Sequence, residues 1–277
     1  MEINEGNGGL HGALKNVRRE DCYLIDVDSF YPSIMIAYDL LPKCRHKARF
    51  PELLKLKRQG LKDVKLMINS VYGLMPENDR VRICKTGQTL MYDLIAKVGG
   101  ELIQVNTDGL IVKGPNIAGV EAWEKQTGMI TTSVHITKMV QRDVNNYMYL
   151  TDDDTLVIKG SLRKQGIAGI AVARSILQGT NLSDEIRKGK LLDYCQTVEG
   201  NLYYYEGNQD CHVCDFVRLV HVTDSVTVVI DGKPYEGVQV VMGSMIDYKN
   251  GDYNIDFSYY EGIARELYTA WTGRRSK

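Results

Sequence analysis

Asp26-Val27-Asp28-Ser29-Phe30-Tyr31-Pro32-Ser33-Ile34 follows the apolar run Tyr23-Leu24-Ile25, which reads as a buried strand. A strand that ends in carboxylates offers a seat for a cation. Asp26 and Asp28 both stand where this strand gives way to a turn, and one of them is the expected ligand. Pro32 has no amide proton and disfavours helix at Tyr31. The stretch from Ser29 to Ser33 is therefore expected to turn the chain and hold Tyr31 against whatever the carboxylate binds. Taken alone, these residues also read as turn or cap positions at a strand end.

Two later stretches add to this reading. Lys65-Leu66-Met67-Ile68-Asn69-Ser70-Val71-Tyr72-Gly73 has helical spacing that puts Lys65, Asn69 and Tyr72 on one face. Glu101 to Val105 and Leu110 to Lys113 are β-rich runs separated by Asn106-Thr107-Asp108-Gly109, the pattern of a hairpin with Asp-Gly in its turn and Asp108 at its tip. A strand-end carboxylate, a hairpin-tip carboxylate and a cationic helix are the parts of a two-metal phosphoryl-transfer site. Carboxylates hold Mg²⁺ and the helix grips phosphates.

In this order the three segments resemble motifs A, B and C of the family B DNA polymerases, in a form similar to bacteriophage-type members. Motif A, Asp-x-x-Ser-Leu-Tyr-Pro-Ser-Ile, maps onto Asp26 to Ile34 with Phe30 in place of leucine, and motif B maps onto Lys65 to Gly73. Motif C departs from the common Asp-Thr-Asp-Ser, because Asn106 stands at the first acidic position and Gly109 at the serine. The match is dense from about Gly8 to Gly114. Beyond it, Arg142 to Tyr147 and Lys159-Gly160 resemble the segment that leads into the thumb. Three ordered motifs carry far more weight than any one of them.

The resemblance implies an α+β fold: a polymerase palm, an antiparallel sheet with helices on one face, over residues 1–160 with a reduced fingers helix at about 50–73, then a mixed thumb-like region over 161–277. It implies a template-directed DNA polymerase. Asp26 and Asp108, with the Val27 backbone, would hold two Mg²⁺ ions, for which Mn²⁺ can substitute. Lys65 would neutralise phosphate charge, Asn69 would position the nucleotide, Tyr72 would line the nascent pair, and Tyr31 would lie under the sugar where its ring excludes a 2′-hydroxyl. The backbone of Val27 to Phe30, that is Val27, Asp28, Ser29 and Phe30, would complete the triphosphate seat. Arg58 and Lys62 resemble the cationic pair of the fingers. Gly8 and Gly9 occupy the place of a turn that touches the template strand, and Tyr147 and Lys159 would contact DNA. Apart from the resemblance, Asp28 is expected to point away from the metals and its loss to cost little. The implied partners are primer-template DNA and deoxynucleoside triphosphates, with other replication proteins open. No residues precede the palm from which a proofreading exonuclease could be built, so proofreading is expected to be absent. A competing reading is a palm-and-thumb remnant that binds primer-template DNA or a replication partner without catalysing.

Composition bounds these readings loosely. With 277 residues the chain can bury a core of one to two domains, and 44% hydrophobic and 25% charged residues are ordinary values that imply neither a disordered nor a fibrous chain. A net charge of -1 neither advertises nor excludes nucleic-acid binding, since a polyanion responds to local basic surface. Lysines and arginines are dense from Lys43 to Lys65 and from Lys138 to Lys164. The amino end is polar and Gly-rich, so no signal peptide or membrane span is expected and a cytoplasmic location follows, that of a bacterial host if the gene is a phage's. The six cysteines then read as free thiols, and Cys211-His212-Val213-Cys214 lacks a second Cys/His pair for zinc.

Between the motifs, Leu53 to Tyr72 reads as one helix weakened at Gly60 by ~1 kcal/mol, with Lys55, Arg58, Lys62, Lys65, Asn69 and Tyr72 in one stripe. Arg82 to Val98 reads as a helix ended by Gly99-Gly100. Ser133 to Val140, Tyr147 to Leu150 and Leu156 to Ile158 read as strands around an acidic turn at Asp152-Asp153-Asp154. Further on, the pattern suggests a helix from Asp184 to Cys195, β-structure from Phe216 to Ile230 and Val238 to Met245, and a terminal helix from Asp256 to Ala270 whose apolar stripe is Tyr259, Tyr260, Ile263, Leu267 and Ala270.

Overall fold

The computed structural model describes all residues except 7, 42–46, 207–210, 225, 242–252 and 275–277, and excepting also the side chains of Lys47, Lys62, Lys65 and Asn69. The chain is α+β and divides into two compact units, Met1–Thr155 and Leu156–Lys277. The first contains β1 (Asn4–Gly6), β2 (Gly9–Ala13), β3 (Val17–Val27), α1 (Phe30–Ala37), α2 (Phe50–Arg58), α3 (Lys62–Gly73), α4 (Glu77–Val98), β4 (Glu101–Asn106), β5 (Gly109–Lys113), α5 (Ile117–Thr127), β6 (Thr131–Gln141) and β7 (Tyr147–Thr151). Its strands lie in the order β1-β2-β4-β5-β3-β6-β7, each antiparallel to its neighbour.

Alternation along β3 decides which face is covered. Ile25 and Val27 are buried in one core with Leu10, Val105, Leu110 and Val112 from neighbouring strands and with apolar side chains of α1 to α5. Asp26 projects the other way, in register with Gly109 and Thr132. Trp123 of α5 is fully buried in this core and donates its indole N–H to the Leu90 carbonyl at 3.2 Å.

Several sequence expectations are corrected here. The chain does not merely turn after Ser29; α1 begins at Phe30, and Ser29 takes a left-handed conformation (φ 52, ψ 47) to start it. Pro32 is tolerated because it lies in the first turn, where amides have no intrahelical acceptor. The expected single helix from Leu53 to Tyr72 is two helices. Gly60 adopts φ +94 and Leu61 is extended (φ -71, ψ 106), so the cationic stripe is cut between Arg58 and Lys62. The helix ending at Val98 begins at Glu77, not Arg82, since Pro76 starts it and Glu77 and Asp79 suit the positive end of its dipole. Gly87 lets α1 lie close to α4: a Cβ there would come within 3.1 Å of the Phe30 ring and 3.2 Å of Tyr31.

The second unit contains β8 (Leu156–Ile158), α6 (Gly166–Gln178), α7 (Leu182–Arg187), α8 (Leu191–Tyr194), β9 (Gln196–Glu199), β10 (Leu202–Tyr205), β11 (His212–Val213), β12 (Phe216–His221), β13 (Thr227–Ile230), β14 (Lys233–Glu236), β15 (Val238–Val240) and α9 (Phe257–Thr272). Two small antiparallel sheets, β11-β10-β13-β14 and β15-β12-β9, accompany α6, which packs on α7 and α9. The helix expected from Asp184 to Cys195 is split at Gly189, where a Cβ would meet the Ile167 and Tyr194 side chains. The last strand ends at Val240, and most of its expected continuation to Met245 lies outside the described residues. Helix α9 starts from Asp256, which accepts the Tyr259 N–H at 3.1 Å. It buries Tyr260 and Ala264 while Ala270 is exposed, a face rotated from the expected stripe. Cys211 is exposed, His212 stacks on Tyr203, and the Cys214 thiol donates to the Gly200 carbonyl. Among the described residues no helix is long and apolar enough to cross a membrane.

Candidate active site

The end of β3 and the tip of the β4–β5 hairpin are joined by backbone. Thr107 and Asp108 form the tip between the paired residues Asn106 and Gly109, and the Asn106 side chain accepts the Thr107 N–H at 2.9 Å. Neither tip residue has positive φ, so Asp-Gly does not serve as the two corners of a mirror-image turn. Gly109 instead permits a close approach, since a Cβ there would lie 2.9 Å from Asp26 Oδ1. The Val27 N–H donates to the Asp108 carbonyl at 2.7 Å and the Asp28 N–H to the Ile130 carbonyl at 2.8 Å. Both carboxylates, Asp26 and Asp108, thereby line one cleft of about 410 Å³ with Asp28, Ser29, Tyr31, Lys57, Tyr72 and Thr107. These bonds narrow the expected triphosphate seat, because the amides of Val27 and Asp28 already have acceptors.

Asp28 is held by cations. Arg58 Nε lies 2.7 Å from Asp28 Oδ2, Lys57 Nζ lies 3.7 Å from Oδ1, and the Ser29 hydroxyl donates to Oδ1 at 2.9 Å. Burial pushes the Asp28 carboxyl up, but Arg58, Ser29 and Lys57 outweigh it and hold the group below the usual carboxylate range. Arg58 is therefore engaged by Asp28 and is not among the residues lining the cleft. Lys57, which the stripe reading passed over, does line it and hydrogen-bonds Ser29. Its signal was available: residues three apart neighbour each other on a helix surface, and Lys57 follows buried Leu54 by three.

Tyr31 and Tyr72 stack at 5.0 Å between ring centroids, 23° from parallel, and Phe30 stacks with Tyr31 at 5.9 Å. The Tyr31 hydroxyl donates to the Gly8 carbonyl at 2.8 Å, and burial raises its pKa well above the ordinary tyrosine value. The Thr107 hydroxyl donates to the same carbonyl at 2.9 Å. Gly8 and Gly9 thus sit against the cleft-lining residues Tyr31 and Thr107.

The remaining candidates lie as follows. Lys62, Lys65 and Asn69 are on α3, their side chains outside the described residues. Tyr147 stacks near Tyr149 at 6.3 Å, and its pKa is raised by burial and by the negative charge of Asp26 and Asp108, against the Gln104 amide beside it. Tyr149, also raised by burial and by Asp26, was not singled out in the sequence. Lys159 is exposed in the second unit, ahead of a short 3-10 turn.

No protein-family model matches the sequence, and no curated protein matches it. Among solved structures the chain is similar to the family B DNA polymerase from the hyperthermophilic archaeon Pyrobaculum calidifontis, with a TM-score of 0.53 and 14% identity. The likeness covers 94% of this chain and 46% of that one, so the chain spans about half the length of the structure it matches. At this identity the likeness is one of fold.

Proposed function

We propose that the cleft extends the 3′-hydroxyl of a primer on a DNA template with deoxynucleoside triphosphates. The observation that carries this reading is the meeting of Asp26 and Asp108, presented from a strand end and a hairpin tip and tied by the Val27–Asp108 backbone bond of 2.7 Å.

The donor set suits hard divalent cations: two carboxylates and nearby backbone carbonyls are all oxygen ligands. Among the described residues no group of three or more His, Cys, Asp or Glu forms a denser site. Asp26 and Asp108, with Val27, would hold Mg²⁺ ions, for which Mn²⁺ can substitute; these would lower the pKa of the attacking hydroxyl and neutralise the triphosphate. The backbone of Ser29 and Phe30, where α1 begins, would complete the triphosphate seat at a helix N-terminus. Lys57 adds positive charge at the cleft, and Lys65 neutralises phosphate charge from α3. Asn69 positions the nucleotide. The Tyr31 ring, backed by Tyr72, lies under the sugar and excludes a 2′-hydroxyl. Gly8, Gly9, Tyr147 and Lys159 contact primer-template DNA, Tyr147 from within the field of both carboxylates.

Primer extension with purified full chain, four deoxynucleotides and Mg²⁺ or Mn²⁺ tests the reading. Metal-dependent extension is the expected result. Binding of primer-template without extension under either metal would overturn it in favour of a non-catalytic DNA-binding remnant.

A further inference from the structure

The turn between β1 and β2 makes contacts that the proposed reaction does not use. One carbonyl, that of Gly8, accepts hydroxyl protons from Tyr31 at 2.8 Å and from Thr107 at 2.9 Å, which its two lone pairs allow. Two residues back, the Gly6 carbonyl accepts Gln88 Nε2 from α4 at 3.0 Å. Gly9 has φ +128, and a Cβ there would lie 2.8 Å from both Cγ2 and Oγ1 of Thr107, so only glycine lets the turn come this close to the hairpin. Among the described residues Thr107 Oγ1 also has His11 Nε2 at 3.5 Å.

The geometry therefore links an aromatic ring on α1 to the hairpin that presents Asp108. Stacking on Tyr72 and Phe30 fixes the plane of the Tyr31 ring but leaves sliding within that plane easy, because dispersion and quadrupole contacts vary slowly with offset. The hydroxyl bond to Gly8 removes that freedom. Discrimination by steric clash needs a wall that does not yield, since a ring that slides aside admits the extra oxygen.

We infer that Gly8, Tyr31 and Thr107 form a latch in which Thr107 is a positioning residue for sugar selection: its hydroxyl holds the Gly8 carbonyl where that carbonyl holds the Tyr31 ring. This rests on the polymerase reading above and deepens it.

The test is primer extension with the full chain, measuring kcat/KM for matched ribo- and deoxynucleotides in the wild type, Thr107→Val, Thr107→Ser, Tyr31→Phe and the Thr107→Val/Tyr31→Phe double variant. The ratio within each variant cancels any general loss of activity. Thr107→Val and Tyr31→Phe should each move the ratio toward ribonucleotides by about two- to tenfold, the scale of one neutral hydrogen bond. Thr107→Ser should restore it, and the double variant should shift it no further than the larger single one, as expected for two parts of one device. An unchanged ratio in Thr107→Val, with deoxynucleotide extension still measurable, overturns the latch and leaves the polymerase reading standing. A wild type that extends with neither sugar overturns both. Should Thr107→Val fail to fold, Tyr31→Phe decides by the same ratio, because it keeps the ring and its packing.

Discussion

The two sides of the cleft are built by different means. On the sheet side, Asp26 and Asp108 stand on backbone bonded through the β3–β5 and β4–β5 pairings and through the Val27–Asp108 contact. On the helical side, Lys57 and Tyr72 stand on α2 and α3, two short helices joined at Gly60 and anchored to the core by Phe50, Leu54, Val64 and Ile68. What ties that side to the segment after β3 is made of side chains: the pairing of Asp28 with Arg58 and Lys57, and the stack of Tyr31 of α1 on Tyr72. A backbone-bonded side fixes charges where reaction needs them. A side held by side chains can be altered one contact at a time, so substitutions on the two sides should differ in kind.

The largest effect is expected on the sheet side. Asp26→Asn and Asp108→Asn should each reduce extension below a tenth of the wild-type rate while primer-template binding stays nearly intact, since loss of metal stabilisation removes several kcal/mol from the transition state. Chelation of the divalent metal should have the same effect on the wild type. Single-turnover extension beside a binding titration measures both, and a variant that keeps more than a tenth of the rate removes its carboxylate from the reaction.

The next effect crosses the cleft. Tyr31→Val should shift the kcat/KM ratio toward ribonucleotides by a factor equivalent to ~1–3 kcal/mol, the range a tight pocket delivers against a small added group. If Tyr31 is only a core aromatic under the sheet, stability and both rates fall while the ratio holds.

How legible this cleft was depends on which kind of contact made it. The strand before Asp26 and the hairpin before and after Asp108 announce themselves through local alternation and turn residues, and the structure has both elements. Helix α1 was hidden because Pro32 reads as a breaker unless it is known to lie in a first turn, and only the left-handed Ser29 places it there. The break at Gly60 was underrated for a similar reason: glycine within a helical pattern costs about 1 kcal/mol if the helix continues, and the sequence does not say that tertiary packing prefers two helices. Lys57 rather than Arg58 lining the cleft depends on Asp28 capturing Arg58, a contact between residues thirty apart that no periodicity encodes. In the second unit the misplaced face of α9 has the same origin, since Tyr259 and Tyr260 are equally apolar in the pattern and only packing chooses Tyr260.

A smaller effect is expected for Asp28, now on structural grounds. Asp28→Asn should loosen α2 and cost about 1 kcal/mol of stability, the upper range for a pair that is partly exposed. The sign of its pH dependence follows from a folded pKa below the unfolded one. The contribution is present above the unfolded value and is lost as pH falls through the folded value, so the wild-type advantage over Asp28→Asn should shrink in acid. Denaturant midpoints at about pH 7 and about pH 3 measure it. Equal advantages at both pH values would show that Asp28 works through packing, and a loss of extension as deep as that of Asp26→Asn would place Asp28 among the metal ligands.

The smallest effect sharpens the comparison from further along the sheet, three positions from Asp26 on β3. His135 on β6 lies between two carboxylates, with Nδ1 at 2.6 Å from Asp152 and Nε2 at 2.8 Å from Asp21, and its ring packs on Tyr23 at 4.8 Å. Only the imidazolium can donate to both, and the two contacts, Asp152 foremost, raise its pKa above the ordinary histidine value. A raised folded pKa gives stability that is complete below the unfolded value of about 6.5 and disappears as pH climbs through the folded one. Asp21 and Asp152 are 76% and 70% exposed, so water and salt screen the pair and the gain is small. His135→Gln should therefore lower the unfolding temperature by no more than about 2 °C at pH near 5.5, and by less at pH near 8.5, where the neutral ring keeps its tilted contact with Tyr23 and one N–H to donate. Added salt should reduce the acid-side difference first. Because the backbone ladder of β3 and β6 holds this part of the sheet without the histidine, extension should be unaffected at either pH. A difference that grows with pH would reverse the assigned sign. A fall in extension would show that the sheet side of the cleft depends on side chains after all.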